Sequence, residues 1–283
     1  MSSPSLLRRL TRTSVVTVVA GLGLLAAFQS RFIYFPQSYQ KAEMASFLEE
    51  GGERLEFTTS QGRQTAWLHL PVEGAGPPER VWIVTAGNGS MALDFAGLPE
   101  LAGLHRDAFV FLDYPGYGVC EGKPHPRTIL ESLRAVGPLI TERCQLPAGG
   151  LATKGIVFGH SLGAAVALMA AEEFGIRRAV LLAPFTSTME LSRELFKVPL
   201  GWLVTHRFDN RAALASLGQR GGHAWVFHGT DDEVIPITMA RRLTSGAGPT
   251  ASFEEIPGGR HNNLLETGFR PIGSAMQAAR QTD

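Results

Sequence analysis

The sequence predicts an α/β fold with a mainly parallel central sheet flanked by helices. Short apolar runs rich in β-branched residues recur along the chain, at Val81–Thr85, Ala108–Leu112, Gly155–Phe158, Arg178–Leu182 and Trp225–Phe227. Segments with helical periodicity separate them. A strand with no polar face belongs inside a sheet covered on both sides, and strand–helix alternation builds such a sheet. The 283 residues, 44% hydrophobic and 18% charged, suffice for one large domain with a buried core.

The N-terminus comes first. Arg8, Arg9 and Arg12 precede an apolar run from Ser14 to Phe28 that lacks a polar face, and counting from Leu10 brings it near spanning length. A basic side followed by an apolar core predicts a membrane anchor within residues 1–35. A cleaved signal peptide is the rival, weakened by the poor A-x-A match at Leu25-Ala26-Ala27. Both place the domain on the non-cytoplasmic side, tethered to the membrane in one case and secreted in the other.

Residues 36–283 form the main domain. Arg54–Thr59 and Gln64–Leu70 read as a hairpin around Ser60-Gln61-Gly62, and residues 72–79 as a loop. Helices are expected at Thr128–Ile140, Leu162–Phe174, Thr238–Leu243 and Ile272–Arg280. Residues 185–217 exceed a simple crossover and read as a cap-like insertion of one or two short helices, divided at Pro199. Its apolar residues either line a pocket or pack the insertion onto the domain.

Lys+Arg and Asp+Glu are balanced at 26 each, which gives no reason to expect a nucleic-acid partner. Cys120 and Cys144 are too few for a disulfide scaffold and are expected as free thiols. No Cys or His spacing suits a metal.

The chemistry concentrates in three places. Gly159-His160-Ser161-Leu162-Gly163 fits G-x-S-x-G, with an apolar strand before it and a small-residue helix after it. That context lifts a serine hydroxyl above the sheet edge on a sharp turn. A serine needs a base, and the base needs an orienting acid. His228-Gly229-Thr230-Asp231-Asp232-Glu233 puts carboxylates just past a strand, and Gly258-Gly259-Arg260-His261 puts a histidine on a glycine-rich loop. Two backbone N–H groups are expected to form an oxyanion hole, one from Leu162 and one from the loop 85–90, with Asn88 the leading candidate and Gly89 behind it. His160 is expected to pack, pointing away from the serine. Asp113–Gly118, DYPGYG, suggests a tight turn shaping a pocket wall, with no proton-transfer role. The remaining histidines read as packed or solvated, and Cys120 as non-nucleophilic. Asp209 is a minor candidate for a substitute acid.

Together GHSLG, DYPGYG, HGTDDEVIP and GGRHNN, in this order, resemble the α/β-hydrolase superfamily over almost the whole chain. The phrase FIYFP at Phe32–Pro36 after an apolar N-terminus is similar to the membrane-anchored α/β-hydrolase-domain proteins. The resemblance implies an α/β-hydrolase fold with Ser161 as nucleophile, Asp232 as acid and His261 as base. The family pattern H-G-T-x-D selects Asp232 over Asp231. Ala86 departs from it, standing where relatives commonly carry histidine. The implied activity is hydrolysis of a carboxylic ester or thioester, on a small-molecule acyl ester or lipid-like substrate, with no metal or cofactor. An aminopeptidase- or amidase-like hydrolase, and a non-catalytic binding protein that keeps the fold, are the alternatives.

Overall fold

The computed structural model describes residues 17, 21, 23, 29–71, 76–197 and 203–281. Eight strands form one sheet: β1 (Glu53–Thr59), β2 (Gly62–His69), β3 (Val81–Thr85), β4 (Ala108–Leu112), β5 (Gly155–His160), β6 (Arg178–Leu182), β7 (His223–Gly229) and β8 (Ala251–Ile256). Their spatial order is β1-β2-β4-β3-β5-β6-β7-β8. β1 and β2 form the expected hairpin, closing at Thr59 opposite Gly62, and β2 runs antiparallel to β4. From β4 to β8 every pairing is parallel.

Ten helices are labelled in chain order: α1 (Lys41–Glu49), α2 (Leu98–Ala102), α3 (Pro126–Arg143), α4 (Gly150–Lys154), α5 (Leu162–Phe174), α6 (Thr188–Phe196), α7 (Asn210–Gln219), α8 (Ile237–Ala247), α9 (Leu264–Thr267) and α10 (Phe269–Gln281). Side chains of the central strands alternate between two cores. Val81, Ile83, Val110 and Val157 pack with α3, α5, α7 and α8 on one face. Trp82, Val84, Phe109, Phe111, Ile156 and Phe158 pack with α1, α2 and α10 on the other. Burial on both faces is why these strands read as unbroken apolar runs.

β3 sits where the chain order reverses: the crossover through α2 places β4 on one side, and the one through α3 places β5 on the other. The crevice beyond the carboxyl ends of β3 and β5 is the expected binding position in an open α/β sheet.

Among the described residues, the segment 185–217 contains two α-helices, with a bridge between Ser187 and Asp209 closing the loop between them. α7 buries Leu214 and Leu217 in the same core as α5, so it serves as the ordinary crossover to β7. The remainder of the expected insertion is then residues 185–209, and its two ends, Phe185 and Phe208, are buried in that same core. Pro199, Leu200 and Trp202 lie outside the described residues.

The expectation of a transmembrane helix is corrected. Among the described residues, no helix is long and apolar enough to cross a membrane. Most of the run from Leu10 to Phe28 lies outside them. The helical turn that follows, Ser30–Ile33, has four residues, and the chain is extended at Tyr34. Four residues rise only about 6 Å against a hydrocarbon core of about 30 Å. Membrane association, and the anchored or secreted location derived from that run, have no support in the fold.

Candidate active site

β5 ends at His160, α5 begins at Leu162, and Ser161 makes the whole turn between them. Its backbone has φ 58° and ψ −120°, a strained conformation for a residue with a Cβ. The flanking glycines make the turn sterically feasible. A Cβ on Gly159 would lie 2.3 Å from the Gly163 carbonyl oxygen, and one on Gly163 would lie 2.1 Å from the Thr85 oxygen. The turn is tied to β6 by the Ser161 N–H, which donates to Leu182 O at 2.8 Å.

The loops after β7 and β8 are joined through their backbones. Thr230 N–H donates to Ile256 O and Asp231 N–H to Gly259 O, each at 3.0 Å. Gly229 lies against Gly259, with no room for a Cβ between them. This contact brings the carboxylate loop and the histidine loop together over the turn at Ser161.

Ser161, His261 and Asp232 form one hydrogen-bonded line. Ser161 Oγ is 3.0 Å from His261 Nε2, and His261 Nδ1 is 2.8 Å from Asp232 Oδ2. A carboxylate only accepts, so Nδ1 carries the proton and Nε2 presents its lone pair to the serine. The Asp232 and His261 side chains are 0% and 5% exposed, so solvent competes little for the bond. Asp231 is exposed and accepts from Thr230 Oγ1 instead. Of the two adjacent aspartates, the fold brings Asp232 to His261. Asp209 caps α7, its carboxylate accepting from Ala212 N–H.

Asp232 is held on all sides. Oδ1 accepts from the N–H groups of Val234 and Ile235 at 2.9 and 2.8 Å. His228 Nε2 lies 3.2 Å from Oδ2 and 2.8 Å from Ile235 O. A carbonyl also only accepts, so this nitrogen donates to both. Burial pushes the Asp232 carboxyl up, but hydrogen bonds from His228 and His261 outweigh it and hold the group well below the usual range. Asp232 is a carboxylate throughout the neutral range.

His160 does not point away. Its Nε2–H donates to the His261 carbonyl at 2.9 Å, and the two rings lie 4.8 Å apart. Burial, then the neighbouring His261 ring, push its pKa down to about 4, so it is neutral near pH 7.

The loop after β3 closes the site. A Cβ on Gly87 would lie 3.6 Å from Ser161 Cβ, so the backbone of this loop runs directly over the nucleophile position. Asn88 follows, half-buried. Leu162, buried, opens α5, whose N-terminal amides favour negative charge near Ser161. Ala86 is buried, and its carbonyl accepts from Tyr114 Oη at 2.6 Å. DYPGYG therefore does more than shape a wall. Asp113 is buried and accepts from Tyr39 Oη, Trp67 Nε1 and Ala92 N–H. Tyr117 Oη donates to Asn88 O at 2.6 Å.

Sequence reasoning missed the roles of His160, His228, Tyr114 and Tyr117. Their adjacency to the motif residues was the one available signal. Cys120 and Cys144 are buried free thiols, each pushed up to about 12 by burial. Among the described residues, no cluster of three or more His, Cys, Asp or Glu is placed to hold a metal ion.

The family model described as the alpha/beta hydrolase family matches residues 67–258, more than half of the chain. The chain belongs to the alpha/beta hydrolase family. An uncharacterized protein of Mycobacterium tuberculosis is 28% identical to this hydrolase over 261 residues, covering 90% of this chain and 89% of that one. The alpha/beta hydrolase domain-containing protein WAV2 of Arabidopsis thaliana is 25% identical, covering 89% and 87%. Among solved structures, an esterase of Pyrococcus furiosus superposes with a TM-score of 0.65 at 15% identity, covering 88% of this chain and 98% of that chain. The esterase domain of a Rhodothermus marinus protein gives 0.58 at 20%, covering 81% and 98%. At such identities the structural likeness shows the fold, and the family makes the chain a hydrolase.

Proposed function

We propose that this chain is a serine hydrolase that cleaves carboxylic esters or thioesters through an acyl-enzyme. The observation that carries the reading is the Ser161–His261–Asp232 line, at 3.0 and 2.8 Å. His261 Nε2 takes the Ser161 hydroxyl proton as Oγ attacks the acyl carbon. Asp232 holds the imidazole tautomer and faces the imidazolium that forms. The backbone N–H groups of Leu162 and Asn88 receive the oxyanion. The tetrahedral intermediate then expels an alkoxide or thiolate, which leaves with the proton from His261. Water repeats the sequence on the acyl-enzyme, with His261 first accepting and then returning a proton, and frees the acid and Ser161.

The strained backbone of Ser161 and the burial of both partners argue against a binding protein that merely keeps the fold, because neither is needed to bind. Residues 36–283 are the hydrolase domain in this reading, capped by the segment around 185–209. The relatives named alpha/beta hydrolase domain-containing proteins support placing it with that branch. The esterases among the structural neighbours favour an ester over an amide substrate.

The test is a panel of p-nitrophenyl esters of graded acyl length, beside thioester and amide substrates, with fluorophosphonate labelling. Wild type labels and turns over esters or thioesters, and Ser161→Ala does neither. Labelling of Ser161→Ala, or turnover confined to amides, would overturn the assignment.

A further inference from the structure

Three residues upstream of the sheet, Ile33–Phe35, reach the loop over Ser161. We propose that this N-terminal strap and Tyr117 together form a clamp that fixes the oxyanion loop, with Tyr117 as its central positioning residue. The inference rests on the reading of Ser161 as a nucleophile and concerns how the donor opposite it is held.

The carbonyl of each residue from Ala86 to Asn88 is engaged. Ala86 O accepts from Tyr114 Oη at 2.6 Å. Gly87 O accepts from Ser90 N–H at 3.3 Å. Asn88 O accepts twice, from Tyr117 Oη at 2.6 Å and from Phe35 N–H at 2.9 Å. Phe35 N–H also reaches Tyr117 Oη at 3.1 Å, so the phenol accepts from the strap while donating to the loop. The Asn88 side chain completes the clamp, its Nδ2–H donating to Ile33 O at 3.1 Å. Among the described residues, the Asn88 backbone N–H has no acceptor. A peptide whose neighbours are pinned on both sides cannot rotate freely, so this N–H keeps a fixed direction. Preorganised direction is what makes an oxyanion donor effective.

The strap is itself anchored from both ends. Gln37 O accepts from Gly118 N–H at 2.8 Å, tying the strap to the turn that carries Tyr117. Tyr34 is buried, with Oη 3.3 Å from His206 Nδ1. Gln29 Oε1 accepts from Thr205 N–H at 2.7 Å. His206 and Thr205 lie in the segment between α6 and α7. The strap thus joins the oxyanion loop to the cap side of the site, although it lies outside the matched family region of residues 67–258. Burial keeps the Tyr117 phenol protonated well past its ordinary range, so it remains a donor at any working pH.

Two variants of the full chain test the clamp. Tyr117→Phe deletes one donor to Asn88 O and keeps the ring that meets Tyr114 edge-on. Phe35→Pro deletes the other donor. The preceding Tyr34, at φ −117° and ψ 134°, already has the backbone that a following proline requires. The Phe35 side chain is 49% exposed, so little packing is lost. Each is compared with wild type for p-nitrophenyl ester turnover, normalised by fluorophosphonate titration of active sites, and for inhibition by an alkyl boronic acid. The boronate mimics the tetrahedral oxyanion.

Each variant should lower kcat about tenfold, short of the loss of about 100-fold or more for deleting a donor outright. The boronate should weaken by a similar factor while KM stays within about twofold, because the interaction strengthens only toward the transition state. If kcat and boronate affinity in Tyr117→Phe match wild type, the clamp is wrong. It is also wrong if KM rises and boronate affinity does not follow kcat. A wild type that neither labels nor turns over would instead sink the hydrolase reading itself.

Discussion

His160 donates a hydrogen bond from Nε2 to the backbone carbonyl of His261 across 2.9 Å, and both side chains are buried. The residue before the nucleophile thereby holds the loop that carries the base. The contact fixes where the imidazole stands without touching the reacting atoms. His160→Phe keeps the ring and removes the donor. A lost hydrogen bond of this kind costs about 1 kcal/mol, so kcat should fall about fivefold with KM steady. His160→Gln, which can still donate, should recover part of the loss. Steady-state kinetics on all three proteins decide it, and equal kcat in wild type and His160→Phe would remove the positioning role.

The same histidine makes stability depend on pH. Burial and the His261 ring push His160 down to about 4, and burial followed by the charge of His125 pushes His206 down to about 4. Each binds its proton more readily in the unfolded chain, where the ordinary value is about 6.5. Stability from the two neutral rings is therefore complete above about pH 6.5 and drains away as pH falls toward 4. Calorimetry should show the thermal midpoint dropping across that window. In His160→Phe the drop should be shallower, since one of the two groups no longer titrates. A midpoint flat from pH 7 to 4 would contradict this.

Most of the sheet was legible because its strands are buried on both faces. Val81–Thr85 and Ala108–Leu112 read as strands with the bounds the structure gives them. Ser161 and His261 were legible because their loops need glycine at fixed offsets. α1 was not. It starts from a capping box between Gln40 and Glu43, and Phe47 is its one buried residue, too little to print a helical period. His160 and His228 were invisible as positioning groups, because their partners are a distant carbonyl and a carboxylate presented by folding. The apolar N-terminal run misled for the opposite reason. Hydrophobicity without a polar face reads as a span, but among the described residues no helix is long and apolar enough to cross a membrane, and the chain that follows the run is a short turn and a strap on the hydrolase domain.

Asp231 and Asp232 separate cleanly in space. Asp232 Oδ2 meets His261 at 2.8 Å, whereas Asp231 faces solvent beside Thr230. Asp232→Asn should cost about 10³–10⁴ in kcat, because an amide that donates toward Nδ1 selects the wrong imidazole tautomer. Asp231→Asn should stay within about twofold of wild type, the usual range for an exposed change. Ester turnover by the two single variants measures both. Equal losses would mean that the acid lies elsewhere.

Ser161 stores strain that can be measured apart from chemistry. Its φ of 58° with ψ of −120° suits glycine and strains any residue with a Cβ, at about 1–3 kcal/mol. Replacing serine by alanine keeps that cost, and replacing it by glycine removes it. Glycine carries an opposing penalty of about 0.5–1 kcal/mol, because its unfolded chain is more flexible. Strain is the larger of the two, so Ser161→Gly should be more stable than Ser161→Ala by about 1 kcal/mol. In a chain of this length that corresponds to about 2–4 °C in thermal midpoint. Neither variant has a nucleophile, so the difference between them reports on the backbone alone. Thermal unfolding of the pair side by side gives the answer. Should Ser161→Ala melt at or above Ser161→Gly, the turn at the end of β5 would hold the serine without strain, and its geometry would no longer argue for a catalytic role.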